Sequence, residues 1–357
     1  MLSTDDLRAL EVLHPNLHKR YSGVTTTILA VAPQMAKLAK TALVGRWTAP
    51  GVPTISLNDV RKLGRSVPPT RPFRIWHARR NDEMITGLLL RRFFGLKFGM
   101  VFTSAAQRKH KRFSRWLMSK MDAIICPSPD AASYLTRPAE IVFHGVDTER
   151  YRPAEDRDAD WTATGLPGKY GIGVFGRIRA QKGTDLFIEA MCRLLPRYPD
   201  FTAIVIGLAT PQEKAFGDAL KNKVEEAGLA NRVIFLGELP EHEVPDWFRK
   251  LTIFVGPQRN EGFGLTTLEA MASELAVVAS KAGAARHLVE EGVTGHLFEI
   301  EDADTMSARI EDLMKDPKRA IEFGKAGRKR VLEKFAIERE AEGIFRVYER
   351  VWNSKKI

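Results

Sequence analysis

The chain has 357 residues, 44% of them hydrophobic, and a net charge of +11 at neutral pH, which suits two domains with sizeable cores. No apolar run approaches the roughly 18 residues a membrane-crossing helix needs, and the two cysteines, Cys126 and Cys192, stand alone. Helical channels, disulfide scaffolds and zinc modules are thereby disfavoured, and a reducing cytoplasm fits. The start, Met1 to Asp6, has neither a basic n-region nor an apolar h-region, so no secretory signal is expected. The charge is uneven: residues 1–130 carry 22 Lys/Arg against 8 Asp/Glu, a net of +14, and the remainder 33 against 36, a net of −3. A basic first third points to an anionic partner such as a membrane surface, an acidic glycolipid or nucleic acid; a generally solvated basic surface is the competing reading.

In chain order, residues 8–13 predict a first strand, His14 to Ser22 a polar loop, and Gly23 opens a helix. Gly23, following a strand, is a candidate phosphate contact. Residues 43–45, 54–57, 73–77, 100–103 and 123–126 read as short strands with helical stretches between them. After a last strand near residue 140, the polar stretch 152–158 suits a linker, which puts the domain boundary at 150/151. A second series follows, with strands at 170–175, 203–206, 233–236, 251–255, 276–279 and 296–298 and helices at 184–195 and 213–227. The tail from Pro317 onward is helical in composition. Alternating strands and helices predict an α/β fold of two doubly wound, Rossmann-like domains. No Gly-x-Gly-x-x-Gly opens either sheet, which argues against a nicotinamide-linked oxidoreductase.

The segment from Pro257 to Ala272, PQRNEGFGLTTLEAMA, carries most of the chemistry. It passes from a strand through Gly262, Phe263 and Gly264 into a helix, so the amides of Gly264, Leu265 and Thr266 are placed to meet phosphate. Glu261 and Glu269 bracket that turn and can accept sugar hydroxyls. Glu269 has a second explanation, because Thr266-Thr267-Leu268-Glu269 matches a capping box with Thr266 as N-cap. Arg177 and Lys182 lie in the loop after the first strand of the second domain. They can hold a diphosphate and stabilise its growing charge as a leaving group, or form a solvated basic loop. In the first domain, residues 87–98 and 108–117 interleave aromatics with cations, a mixture that lies on anionic bilayers or hides its apolar half in a core.

Arg177 and Lys182-Gly183, then Glu261 and Glu269 within EGFGLTTLEAMAS, then AVVAS and EEGVTG, in this order, resemble glycosyltransferase family 4 of the GT-B superfold. His144-Gly145-Val146-Asp147 resembles that family's domain junction, and PQRNEGFGLT with LHPNLHKRYSGVTTT is most similar to bacterial lipopolysaccharide-core mannosyltransferases. The resemblance implies Arg177 and Lys182 on the donor diphosphate, Glu261 on the donor sugar and Glu269 on the ribose. It also implies retention of anomeric configuration, a site in the interdomain cleft and closure on binding. An acceptor-side domain over residues 1–150 and a nucleotide-sugar domain over 151–357 follow, the last helix able to pack back on the first. The implied enzyme is a cytoplasmic, peripheral transferase of hexose, mannose from GDP-mannose, to an inner-core lipopolysaccharide acceptor, needing no metal or other cofactor. Its partners are the nucleotide sugar, an anionic lipid-linked glycan and an anionic membrane surface; no nucleic-acid readout motif is present. Alternatives are a UDP-sugar transferase or a sugar-nucleotide epimerase or hydrolase. Two departures stand out. The strand at 100–103 continues Ser104-Ala105-Ala106-Gln107 where the family has a His, so His77 or His110 takes that part, His77 preferred for the catalytic, donor-side role. Arg286-His287 stands where the family has Pro-Glu.

Overall fold

A computed structural model describes residues 3–19 and 22–354. They form two compact units, the first running to Gly145 and resuming at Ala336, the second spanning Val146–Phe335. The division therefore falls at Gly145/Val146, upstream of the predicted 150/151, and the terminal helix Ile337–Ser354 belongs to the first unit. Glu340 explains part of this. Its carboxylate holds His144 Nδ1 at 2.7 Å and accepts from the Gly145 amide at 2.8 Å. A Cβ on Gly145 would stand 2.6 Å from Ile337 Cα, so only glycine lets the two segments approach.

The first unit contains β1 (Val12–Asn16), β2 (Thr41–Gly45), β3 (Thr54–Ile55), β4 (Arg74–Ala78), β5 (Phe98–Thr103), β6 (Ala123–Cys126) and β7 (Glu140–Ile141). They pair in parallel in the order β3-β2-β1-β4-β5-β6-β7. The second unit contains β8 (Tyr170–Phe175), β9 (Phe201–Ile206), β10 (Val233–Gly237), β11 (Ile253–Gly256), β12 (Ala276–Ser280) and β13 (Gly295–Phe298). These are also parallel, in the order β10-β9-β8-β11-β12-β13. Each order reverses once, between β1 and β4 and between β8 and β11. Crossovers leave in opposite directions there, which opens a crevice beyond the carboxyl ends of the two strands, the usual ligand position in such sheets.

Buried aliphatic strands with helices on their faces build both cores, as parallel sheets require. In the first unit Ile344, Val347, Tyr348 and Val351 of the terminal helix pack on Val12, Ile75, Val101 and Ile125. In the second, Phe187 and Met191 of helix Thr184–Leu194 and Ile310 and Leu313 of helix Ala303–Lys315 join Ile172, Val205, Ile253 and Val278.

Several predicted boundaries move, each for a local reason. The strand predicted at 8–13 gives way to a helix, Thr4–Ala9, because Ser3 and Asp6 form a reciprocal capping box; β1 follows and takes in His14 to Asn16, part of the predicted loop. The strand at 54–57 stops at Ile55 because Ser56 and Asp59 cap the helix Leu57–Lys62. The predicted linker 152–158 lies inside the second unit and runs into the helix Arg157–Thr162, capped by Asp156.

Candidate functional site in the second unit

The crevice between β8 and β11 is made by two loops, 176–183 and 257–264. Both are set by glycine. Gly176 leaves β8 with φ 130°, and a Cβ on neighbouring Gly207 would fall 1.9 Å from the Gly176 carbonyl oxygen. Gly183 caps the helix Thr184–Leu194 at φ 72°, where a Cβ would sit 1.9 Å from the Pro257 carbonyl oxygen. The two loops thus touch backbone to backbone at Gly183 and Pro257.

Arg259 fastens them. Its amide donates to the Gln181 carbonyl at 3.0 Å, its guanidinium forks onto both oxygens of Asp185 at 2.8 Å, and its Nε reaches Glu301 at 2.9 Å. Paired acceptors stabilise its charge and raise its pKa further. The sequence reading gave Arg259 no role. Its partners lie 74 and 42 positions away, a pairing that no local pattern signals.

Held this way, Lys182 Nζ lies 2.5 Å from Glu261 Oε2, both side chains about a fifth exposed. The other carboxylate oxygen accepts from the Gly262 amide at 2.9 Å. The Lys182 stem passes the end of β8, with Cδ and Cε 3.9 Å from where a Gly176 Cβ would be. Arg177 leaves the same loop, exposed, with no ion pair among the described residues. Phe263 is buried, and its carbonyl accepts from the Ala284 amide at 2.8 Å.

The helix after this loop is Leu265–Ala272, with Gly264 as its cap at φ 106°. The capping-box prediction for Thr266 and Glu269 is therefore overturned: the left-handed glycine starts the helix early, and Glu269 lies too deep to reach back to the cap. The amides of Leu265 and Thr266 occupy the first turn, where no intrahelical acceptor exists, and they stay available to an anion. Glu269 instead meets Tyr151, whose hydroxyl donates to it, with Arg150 and Glu241 close by. Burial, opposed by Tyr151 and Arg150, pushes its carboxyl up to about 7. Arg150 is itself fixed by Glu241, at 3.0 Å to the carboxylate and 2.8 Å to the carbonyl.

Two predicted site residues belong to the first unit. Gly23 opens the helix Gly23–Leu38, and a Cβ there would meet nothing within 4 Å, so packing does not demand a glycine. His77 lies inside β4, fully buried. Its Nδ1 lies 2.5 Å from Tyr348 Oη and its Nε2 2.7 Å from Thr103 Oγ1. Burial lowers its pKa well below the usual range, helped by Arg79 and His14. No ligand reaches either nitrogen without displacing Tyr348 or Thr103. His110 lies beside the end of β5, with Nε2 3.1 Å from Ser104 Oγ. Arg286 and His287 form the short helix Ala285–Leu288, whose His287 and Leu288 carbonyls are held by Arg330.

The second unit's switch point thus presents a lysine, carboxylates and free first-turn amides, and the chain belongs to the glycosyl transferase group 1 family. Residues 158–330 match the family described as "Glycosyl transferases group 1". Over 344 residues the chain is 44% identical to the lipopolysaccharide core biosynthesis mannosyltransferase LpcC of Rhizobium leguminosarum bv. viciae, covering 96% of this chain and 97% of that protein. The solved C-terminal domain of a glycosyl transferase group 1 family protein (LpcC) from Francisella tularensis is also 44% identical. It covers 54% of this chain and 100% of its own length with a TM-score of 0.53. HepE of Anabaena in complex with UDP, at 17% identity, aligns over 95% of this chain and 100% of its own with a TM-score of 0.80, a likeness of fold alone. The fold is GT-B, two parallel-sheet α/β domains.

Proposed function

We propose that this glycosyltransferase is a retaining mannosyltransferase that moves mannose from GDP-mannose to the inner core of a lipid-linked lipopolysaccharide precursor. The observation that carries the proposal is the Lys182–Glu261 contact at the β8/β11 crevice, 2.5 Å long, beside the free first-turn amides of the helix Leu265–Ala272. The choice of mannose and of core acceptor is supported by the name of the 44% identical relative.

In this reading Lys182 and Arg177 take the diphosphate, with the amides of Leu265 and Thr266 on its oxygens. Glu261 turns from Lys182 to the hydroxyls of the sugar, and Glu269 accepts from the ribose. The bond from the anomeric carbon to the diphosphate breaks, and the acceptor oxygen bonds on the same face. The acceptor's hydroxyl proton passes to the departing phosphate oxygen. The two cations meet the charge that grows on that oxygen, so no metal is required. His77, enclosed on both ring nitrogens, is left out of the chemistry and orders the end of β4 instead.

The proposal places the enzyme on the cytoplasmic face of the membrane. No helix among the described residues is long and apolar enough to cross a bilayer. The helix Arg112–Ser119 nevertheless presents Phe113 and Trp116 to solvent, 55% and 52% exposed, their rings stacked 5.9 Å apart. Exposed Arg108, Lys109, Lys111, Arg112 and Arg115 surround them, and Lys120 lies 5.8 Å from the Trp116 ring. Aromatic rings set among cations suit an anionic lipid surface.

Thermal-shift titration with GDP, UDP, ADP and their sugars, followed by product mass with core fragments, tests the donor. GDP-mannose is expected to stabilise most and to transfer; stronger stabilisation and transfer by a UDP-sugar contradicts the assignment. The double variant Phe113→Ser/Trp116→Ser is expected to lose binding to anionic liposomes while keeping turnover on a soluble core fragment. Unchanged liposome binding removes the membrane reading.

A further inference from the structure

The crevice of the first unit, between β1 and β4, is furnished differently. Arg79 follows β4 and is 8% exposed, yet no carboxylate lies within ion-pair distance of its guanidinium among the described residues. Its Nη1 donates to His14 Nδ1 at 3.3 Å. Burial and the Arg79 charge lower the His14 pKa well below the usual range, so the ring is neutral and its proton sits on Nε2. That Nε2 is buried with no hydrogen-bond partner among the described residues, and so is Arg79 Nε.

Asn16, at the end of β1 and 1% exposed, repeats the pattern. Arg80 Nη1 at 3.1 Å and Thr25 Oγ1 at 3.4 Å both donate to its Oδ1. This fixes the amide orientation and leaves Nδ2 buried with no hydrogen-bond partner among the described residues. The three unmatched groups at these two strand ends are therefore all donors. Buried donors normally find acceptors, and each exception asks for a reason.

The two acids that act on Arg79, Glu340 and Glu83, do not supply one: the oxygens of Glu340 are taken by His144 Nδ1 and the Gly145 amide. Glu83 is fully buried, and its oxygens already accept from Arg80 Nη1 at 2.9 Å and from the amides of Arg79 and Arg80 at 2.7 and 3.1 Å. The facing ring of His77 has both nitrogens engaged. The start of the helix Gly23–Leu38 adds to the excess. Ser22 makes no cap bond there, the first turn holds no acid, and Arg80 Nη2 donates to Ser22 Oγ and Thr25 Oγ1, each at 3.0 Å. A cation at the positive end of a helix is unfavourable unless an anion joins it.

We infer that this crevice is an oxyanion-binding site of the first unit, taking a carboxylate or phosphate of the acceptor glycan on Arg79, Arg80, Asn16 and the first-turn amides of the helix Gly23–Leu38. The acceptor as source rests on the function proposed above; the anion site does not.

The test uses the full chain at constant ionic strength, with inorganic phosphate, glucuronate, glucose and GDP as probes in thermal-shift and calorimetric titrations. Phosphate and glucuronate are expected to raise Tm and glucose to leave it unchanged. Arg79→Gln is expected to lose at least tenfold in phosphate affinity while binding GDP within twofold of wild type. Asn16→Asp places a carboxylate in the crevice; it is expected to raise Tm without ligand and to abolish the phosphate response. The inference is overturned if phosphate and glucuronate do not shift Tm, if Arg79→Gln binds phosphate like wild type, or if Asn16→Asp lowers Tm. A parallel loss of GDP affinity in Arg79→Gln assigns the crevice to the donor diphosphate and overturns the acceptor assignment. If the anion binds as expected but a core fragment with its carboxylates esterified is transferred equally well, the site stands and the acceptor reading falls.

Discussion

The two switch points of this molecule answer the same question of charge in opposite ways. At β8/β11 the lysine closes on a carboxylate, Lys182 on Glu261 at 2.5 Å, and the loops are fastened by a second satisfied cation, Arg259. At β1/β4 the guanidinium of Arg79 is buried beside a neutral histidine, with no carboxylate at ion-pair distance among the described residues, and the unmatched groups around it are donors. In the first crevice Lys182 and Glu261 satisfy each other, and on the proposed function a diphosphate sugar enters by exchanging partners: phosphate for Glu261 on the lysine, hydroxyls for Lys182 on the glutamate. The second has nothing to exchange and gains from any anion that fits. The difference teaches that a site built for a donor of both polarities can rest on itself, whereas a site for an anion alone is left incomplete.

The largest expected effect breaks the paired side. On the proposed function Lys182→Ala removes a preorganised cation from the leaving group and is expected to lose about 100–1000-fold in kcat, roughly 3–4 kcal/mol. Thermal unfolding of the purified variant checks that the fold is intact; near-wild-type turnover refutes the role. Next in size, Gly183→Ala puts a side chain where φ is 72° and where a Cβ meets the Pro257 carbonyl at 1.9 Å. The left-handed backbone alone costs about 1–2 kcal/mol. Denaturant unfolding is expected to show at least that loss, with weaker donor binding because the two loops part. The smallest effect sharpens the electrostatics. Burial raises the Glu269 carboxyl to about 7, so the folded protein holds this proton more tightly than the unfolded chain does. Stability from this group is present below the ordinary carboxylate range and declines as pH rises through about 7. Tyr151, Arg150 and Glu241 face it. The Tm of Glu269→Gln relative to wild type is therefore expected to be higher at pH 8 than at pH 5; an unchanged difference contradicts the buried assignment.

The paired site was largely legible because its parts lie in contiguous motifs: a strand, then Lys182-Gly183, and a strand, then EGFG and a helix. The helix cap was misread because Thr266 to Glu269 has capping-box spacing, and only the φ of Gly264 shows that the helix has already begun. Arg259 was invisible because its meaning lies in Asp185 and Glu301, brought near by the fold. The same holds more strongly for the first unit. His77 reads as a strand-end residue, yet β4 runs on to Ala78 and encloses the ring. That Arg80 has an ion pair and Arg79 has none at close range depends on His14, Asn16 and Glu83, which no local pattern brings together. The terminal helix was assigned by composition as helical, but the bond from Glu340 to Gly145 that sets where the first unit ends spans 195 positions.

The measurement that tests the central claim most directly follows GDP release and product from GDP-mannose, with and without a core acceptor, and reads the anomeric configuration of the product by proton NMR. The account predicts release that depends on acceptor and a mannoside with the configuration of the donor. Equal release without acceptor, or an inverted product, would contradict it.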